Sequence, residues 1–169
     1  IPVSGHEVCI LGRGTTLGRP LALLLSQKRP TANAAVTVVH TGVPDWADYT
    51  RRAGIVIAAA GVPGILQPEH ISPGAVVVGG GVRYEGRKLL PDVDEAVGDV
   101  ASWITPRLGG VGPTTVAMLL RNTVEAAERT VEMEVGGVQD PHRREIVTSR
   151  RTGRADGFLR RCRPAGRAA

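Results

Sequence analysis

Short, wholly apolar runs alternate with glycine-rich breaks over the first 131 residues. Positions 7–11 read EVCIL and stop at Gly12; a β-branched apolar run of that length predicts a buried strand. After the turn GRGTTLGRP, the leucine-rich LALLLSQKR suits a helix starting at Leu17 or Gly18. AVTVV at 35–39 predicts a second strand, IVIAA at 55–59 a third, AVVV at 75–78 a fourth, and WIT at 103–105 a very short fifth. Between the second and third, residues 45–52 predict a helix with Asp45 placed to cap it. From Pro113 to Val131 a last helix is predicted, because Val116, Leu119, Leu120, Thr123, Val124 and Ala127 recur at helical spacing. Proline fits at its start, where a missing N–H costs nothing. Strands alternating with helices, each strand apolar throughout, predict an α/β domain: a doubly wound parallel sheet covered on both faces.

Beyond Gly136-Gly137 the periodicity stops. Residues 136–169 hold nine of the chain's 21 basic residues, all Arg, against Asp140, Glu145 and Asp156. The formal charge of +5 therefore belongs to this stretch, and the body at 1–135 is near neutral. The charge balance thus makes no case for a basic patch on the domain itself, and nucleic acid is not its expected partner. The stretch has too few large apolar groups to offset an ordering cost of about 1–2 kcal/mol per residue, so a disordered basic tail is expected. At 169 residues the chain has room for one domain, 1–135, plus that tail. No apolar run reaches the roughly 18 residues of a membrane span and no signal segment opens the chain. Cys9 and Cys162 form neither a metal spacing nor a disulfide framework, which fits a reducing, cytoplasmic compartment.

Three segments carry chemistry. Gly12, Gly14 and Gly18 lie between the first strand and the first helix, as G-x-G-x-x-x-G. Glycines there let the backbone turn tightly against a pyrophosphate, while the helix start offers free N–H groups and a positive dipole end. That context identifies a Rossmann-like dinucleotide-binding turn. The second strand ends in Val39-His40-Thr41-Gly42, with no acid before Asp45 to grip a ribose hydroxyl. Thr41, with Arg13 in the glycine turn, could instead receive a 2′-phosphate, which favours NADP; His40 is read as an ordinary strand end. The third segment is Gly109-Gly110-Val111-Gly112-Pro113-Thr114-Thr115, before the last helix. Such glycine content suits either close approach to a second ligand or a flexible link. Metal-binding spacings, a G-x-S-x-G elbow and a Gly-Lys phosphate loop are missing from the sequence.

Taken in order, these segments resemble the C-terminal, cofactor-binding half of bifunctional methylenetetrahydrofolate dehydrogenase/methenyltetrahydrofolate cyclohydrolase. The family's G-R-S-x-x-V-G-x-P is similar to GRGTTLGRP at 12–20, and its T-V-T-x-x-H-S to VTVVHT at 36–41. A-x-G-x-P corresponds to AGVP at 60–63, I-x-P-G-A-V-V to 71–77, and G-D-V-D to PDVD at 91–94. I-T-P-x-P-G-G-V-G-P-M-T-x-A-M-L corresponds to 104–119. By this resemblance Gly12, Arg13, Gly14, Gly18, Thr41 and Val82 occupy cofactor positions, with Thr41 where a serine meets the 2′-phosphate. Leu108, Gly109, Gly110, Val111, Gly112, Pro113, Thr114, Thr115 and Val116 fall on the segment lining the folate side of the cleft.

The resemblance implies NADP as cofactor, tetrahydrofolate derivatives as substrates, a homodimer in the full-length protein, and a role in one-carbon metabolism and purine biosynthesis. It also marks departures. Gly14 replaces a serine, Gly79-Gly80 an Asp-Val pair, Pro91 a glycine and Leu108 a proline. The family's catalytic Tyr-x-x-x-Lys lies on an N-terminal folate-binding domain, and neither Lys28 nor Lys88 follows a tyrosine at that spacing. No catalytic residue is therefore expected in this chain, which reads as the second half of a longer protein. Two alternatives remain at this level: a stand-alone NADP-binding module without folate chemistry, and a nucleic-acid binder acting through its Arg-rich tail.

Overall fold

Glu7–Leu11 (β1) lies between two parallel neighbours, Ala35–Val39 (β2) on one side and Ile55–Ala58 (β3) on the other. Val76–Gly79 (β4) adds to β3, and Trp103–Ile104 (β7) to β4, both parallel. The computed structural model describes residues 1–135 and 160–161. The helices are Gly18–Leu25 (α1), Trp46–Arg52 (α2) and Val111–Val135 (α3). Val82–Glu85 (β5) and Lys88–Pro91 (β6) form a separate antiparallel hairpin. Arg160–Arg161 (β8) pairs antiparallel with β7, giving the sheet the order β2-β1-β3-β4-β7-β8. The rest of the expected tail at 136–169 lies outside the described residues.

The period-two alternation of β1 divides the core into two layers. Val8 and Ile10 face one side with Ile55 and Ile57, and Leu21, Ala22 and Leu25 of α1 pack on them. Cys9 and Leu11 face the other side with Val39, Val56 and Val77, beneath Trp46 of α2. Thr50 of α2 is fully buried and donates its hydroxyl hydrogen to the His70 carbonyl at 2.6 Å, tying the helix to the 3₁₀ turn Pro68–His70. Burial of β1 is complete enough to push the Cys9 thiol up to about 11, as expected of an inert packing residue.

Several expectations need amendment. β2 is an edge strand: Ala35, Thr37 and Val38 are exposed and only Val39 is buried, so the sheet is not covered throughout. Asp45 precedes α2 but makes no side-chain cap, because it takes a left-handed conformation (φ 50°). The β5–β6 hairpin was not expected, since its residues are exposed or half-buried and carry no apolar run. α3 begins at Val111, two residues before the expected start, which places Pro113 within its first turn.

Glu125 of α3 accepts from Arg121 at 2.7 Å in an i,i+4 pair on the helix surface. The expected apolar face of this helix is exposed, with Val116 at 59%, Leu119 and Leu120 at 64% and Val124 at 56%. The helix belongs to a second compact unit of the chain and is described by itself.

Candidate functional site

The sheet order reverses at β1. From β1 the chain moves outward to β2, then crosses to β3 on the opposite side and continues to β4. Loops leaving the carboxyl ends of β1 and β3 therefore diverge, and the crevice between them is where open α/β sheets hold ligands. The turn at 12–18 follows β1 and residues 59–62 follow β3, and the two meet where Gly12 packs on Ala59.

Gly12 takes φ 127°, and a β-carbon there would fall on the Ala59 carbonyl. A β-carbon on Gly18, the first residue of α1, would fall on the Gly12 carbonyl. These two glycines are demanded by close backbone packing. Gly14 has open space around it, so the serine of the related motif would fit there. Nothing caps the N-terminus of α1 with a side chain, and no acidic residue lies in its first turn. The open turn, the uncapped helix start and the exposed Arg13 are the features that an anionic dinucleotide requires.

The strand ends around the crevice are stitched together by backbone hydrogen bonds. Gly12 N–H donates to the Val39 carbonyl at 2.8 Å, and Ala59 N–H to Leu11 at 2.7 Å. Gly80 and Gly81 both donate to Ala58, at 2.8 and 2.9 Å. Gly79, one of the departures from the family motif, is held at the end of β4: its N–H donates to the buried Thr105 hydroxyl at 2.7 Å. Thr41 is exposed just past β2, and Val82, 48% exposed, follows the end of β4. The imidazole of His40 accepts from Gly42 N–H at 3.1 Å, closing a local turn as an ordinary strand end would.

The first acid of PDVD at 91–94 joins the site in a role that the sequence did not give it. Asp92, at the end of β6, is fully buried, and its Oδ2 accepts from Ala60 N–H at 2.7 Å and Gly61 N–H at 2.8 Å. Its Oδ1 has no hydrogen-bond partner. Burial pushes this carboxyl above its ordinary value, against the opposing pull of the Gly61, Ala60 and Val62 N–H groups.

Leu108 and Gly109 are exposed, and Gly110 is buried against the Pro106 carbonyl. Val111, Gly112, Pro113, Thr114, Thr115 and Val116 form the first turns of α3. Lys28 and Lys88 are both exposed. Among the described residues no cluster of His, Cys, Asp or Glu could hold a metal ion, and no helix is long and apolar enough to cross a membrane.

A parallel sheet with a glycine turn and an uncapped helix at its switch point defines a dinucleotide-binding domain of Rossmann type. Residues 1–131 match the family model "Tetrahydrofolate dehydrogenase/cyclohydrolase, NAD(P)-binding domain", and the chain belongs to that family. The chain is 75% identical over 130 residues to "Bifunctional protein FolD 1" of Salinispora tropica, which covers 77% of this chain and 42% of the relative. It is 73% identical over 128 residues to "Bifunctional protein FolD" of Syntrophotalea carbinolica, covering 76% of this chain and 44% of the relative. Among solved structures, it is similar to the Trypanosoma brucei methylenetetrahydrofolate dehydrogenase-cyclohydrolase complexed with NADP cofactor and inhibitor. That match has 40% identity and TM-score 0.69, and covers 78% of this chain and 46% of the other. The chain thus spans less than half the length of the relatives it matches.

Proposed function

We propose that this chain is the NADP-binding half of a methylenetetrahydrofolate dehydrogenase (NADP+)/methenyltetrahydrofolate cyclohydrolase, acting in one-carbon folate metabolism. The observation that carries the reading is the turn at 12–18, whose Gly12 and Gly18 leave no room for side chains at the β1–β3 crevice. NADP in the related Trypanosoma brucei structure supports the choice of cofactor. Gly12, Gly14 and Gly18 would admit the pyrophosphate, Arg13 and Thr41 would meet the 2′-phosphate, and Val82 would flank the cofactor. When bound, the nicotinamide accepts the hydride; the protein's part is to bind and orient it.

The segment 108–116 would line the folate side, where 5,10-methylenetetrahydrofolate is oxidised and the methenyl product hydrolysed. The Tyr-x-x-x-Lys that serves this chemistry belongs to a folate-binding half beyond these residues. The chain alone therefore binds cofactor and turns over no folate, since misplacement of about 1 Å already costs roughly 100-fold in rate. The exposed apolar face of α3 supports docking of that other half. A cytoplasmic homodimer feeding purine biosynthesis completes the reading. Calorimetry provides the test. Arg13→Ala should weaken NADP more than NAD, because only NADP carries the extra phosphate, and equal losses would sink the assignment of Arg13.

A further inference from the structure

We infer that Asp92 is a positioning residue for the cofactor: its carboxylate holds the backbone of residues 60–62 in the shape the crevice requires. The inference rests on the reading of the β1–β3 crevice as the NADP site.

Two consecutive N–H groups, those of Ala60 and Gly61, converge on one oxygen of Asp92. Gly61 adopts φ 68°, so the chain turns sharply as it leaves β3. These two N–H groups leave the ladder at the turn, and the Asp92 side chain supplies their acceptor. The same stretch is then fastened to β6 and the residues after it: Gly64 N–H donates to Pro91 at 2.9 Å, Leu66 N–H to Asp92 at 3.0 Å, and Asp94 N–H to Leu66 at 3.0 Å. Gly81 leaves the space the carboxylate fills, for a β-carbon there would fall on it.

The reach to the cofactor is short. A β-carbon on Gly12 would lie 2.9 Å from Ala60 N, so residues 59–60 are packed directly against the glycine turn. A shift of Ala60 by a few tenths of an ångström would reshape the wall opposite Gly12. A buried carboxylate with one oxygen unpaired is also costly, and an apolar residue of similar volume often stabilises such a position. Its place here is explained by what it holds.

The test uses the full 169-residue chain. Calorimetric titration with NADP compares the parent with Asp92→Leu, which keeps the branched outline and removes the acceptor, and Asp92→Asn, which keeps both the size and an acceptor. Asp92→Leu should weaken NADP about tenfold or more, what losing a charge-assisted hydrogen bond is worth. Asp92→Asn should stay within about threefold of the parent. Parent-like binding by Asp92→Leu, or equal losses in both variants, would overturn the role while leaving the crevice reading intact. Hydrogen exchange on the parent needs no variant to fold: the Ala60 and Gly61 amides should be protected without NADP, and rapid exchange at both would also overturn it. A parent that binds no NADP sinks the crevice reading, and with it this role, leaving any protection at 60 and 61 as structural bracing alone.

Discussion

At the turn into α1, β-carbons on Gly12 and Gly18 would both fall on backbone carbonyls, whereas at the turn into α3 only Gly110 is so confined. Gly112 has open space around it, and Gly109 departs from the usual backbone through its φ of 75° alone. The helices differ in the same sense. α1 half-buries Leu21, Ala22 and Leu25 against the sheet, while α3 exposes Val116, Leu119, Leu120 and Val124. The first turn needs glycine because the rest of the fold presses on it. A β-carbon on Gly112 meets no atom within 4 Å among the described residues.

Substitutions can break this contrast. The largest effect is expected at Gly12→Ala, where a forbidden φ and a carbonyl clash combine. A loss of about 3 kcal/mol or more and a fall in Tm on the order of 10 °C should follow. Gly110→Ala meets the Pro106 carbonyl without a positive φ and should lose less in the same thermal melt. Next comes Gly14→Ser, which restores a hydroxyl donor in open space. Its Tm should match the parent while calorimetry shows NADP binding tighter by up to about tenfold. The smallest effect is expected at Gly112→Ala. Alanine on an open helical position should stabilise the chain by about 0.5 kcal/mol, read from denaturant midpoints. A Gly112→Ala chain as unstable as Gly12→Ala would erase the difference between the two turns.

Much of this architecture was legible in the residues. β1 and β3 announced themselves as apolar runs because each is buried on both faces, β4 because Val77 is buried between half-buried neighbours, and the glycine turn followed from its place after β1. The hairpin was not legible: Arg83, Glu85 and Lys88 are exposed and pair through backbone groups that leave no apolar signature. Asp45 looked like a cap because capping is judged from residue type, while its left-handed backbone aims the carboxylate elsewhere. The part Asp92 plays was hidden for a related reason. PDVD matched a family motif, and only the tertiary path of 58–66 shows that two N–H groups close on its first acid. The confinement of Gly81 could have hinted at it only in retrospect.

The buried Asp92 carboxyl also couples the crevice to proton concentration. Its proton is held more tightly in the folded chain than in the unfolded one, whose carboxyl titrates near the ordinary 3.8. Its contribution to stability is therefore fully present below that ordinary value, and it is lost as the pH rises through the raised folded value. Ionisation of the buried carboxyl thus works against the fold, while either form offers an oxygen that accepts from residues 60 and 61. The side chain that shapes the crevice wall is thus also one whose charge the fold disfavours.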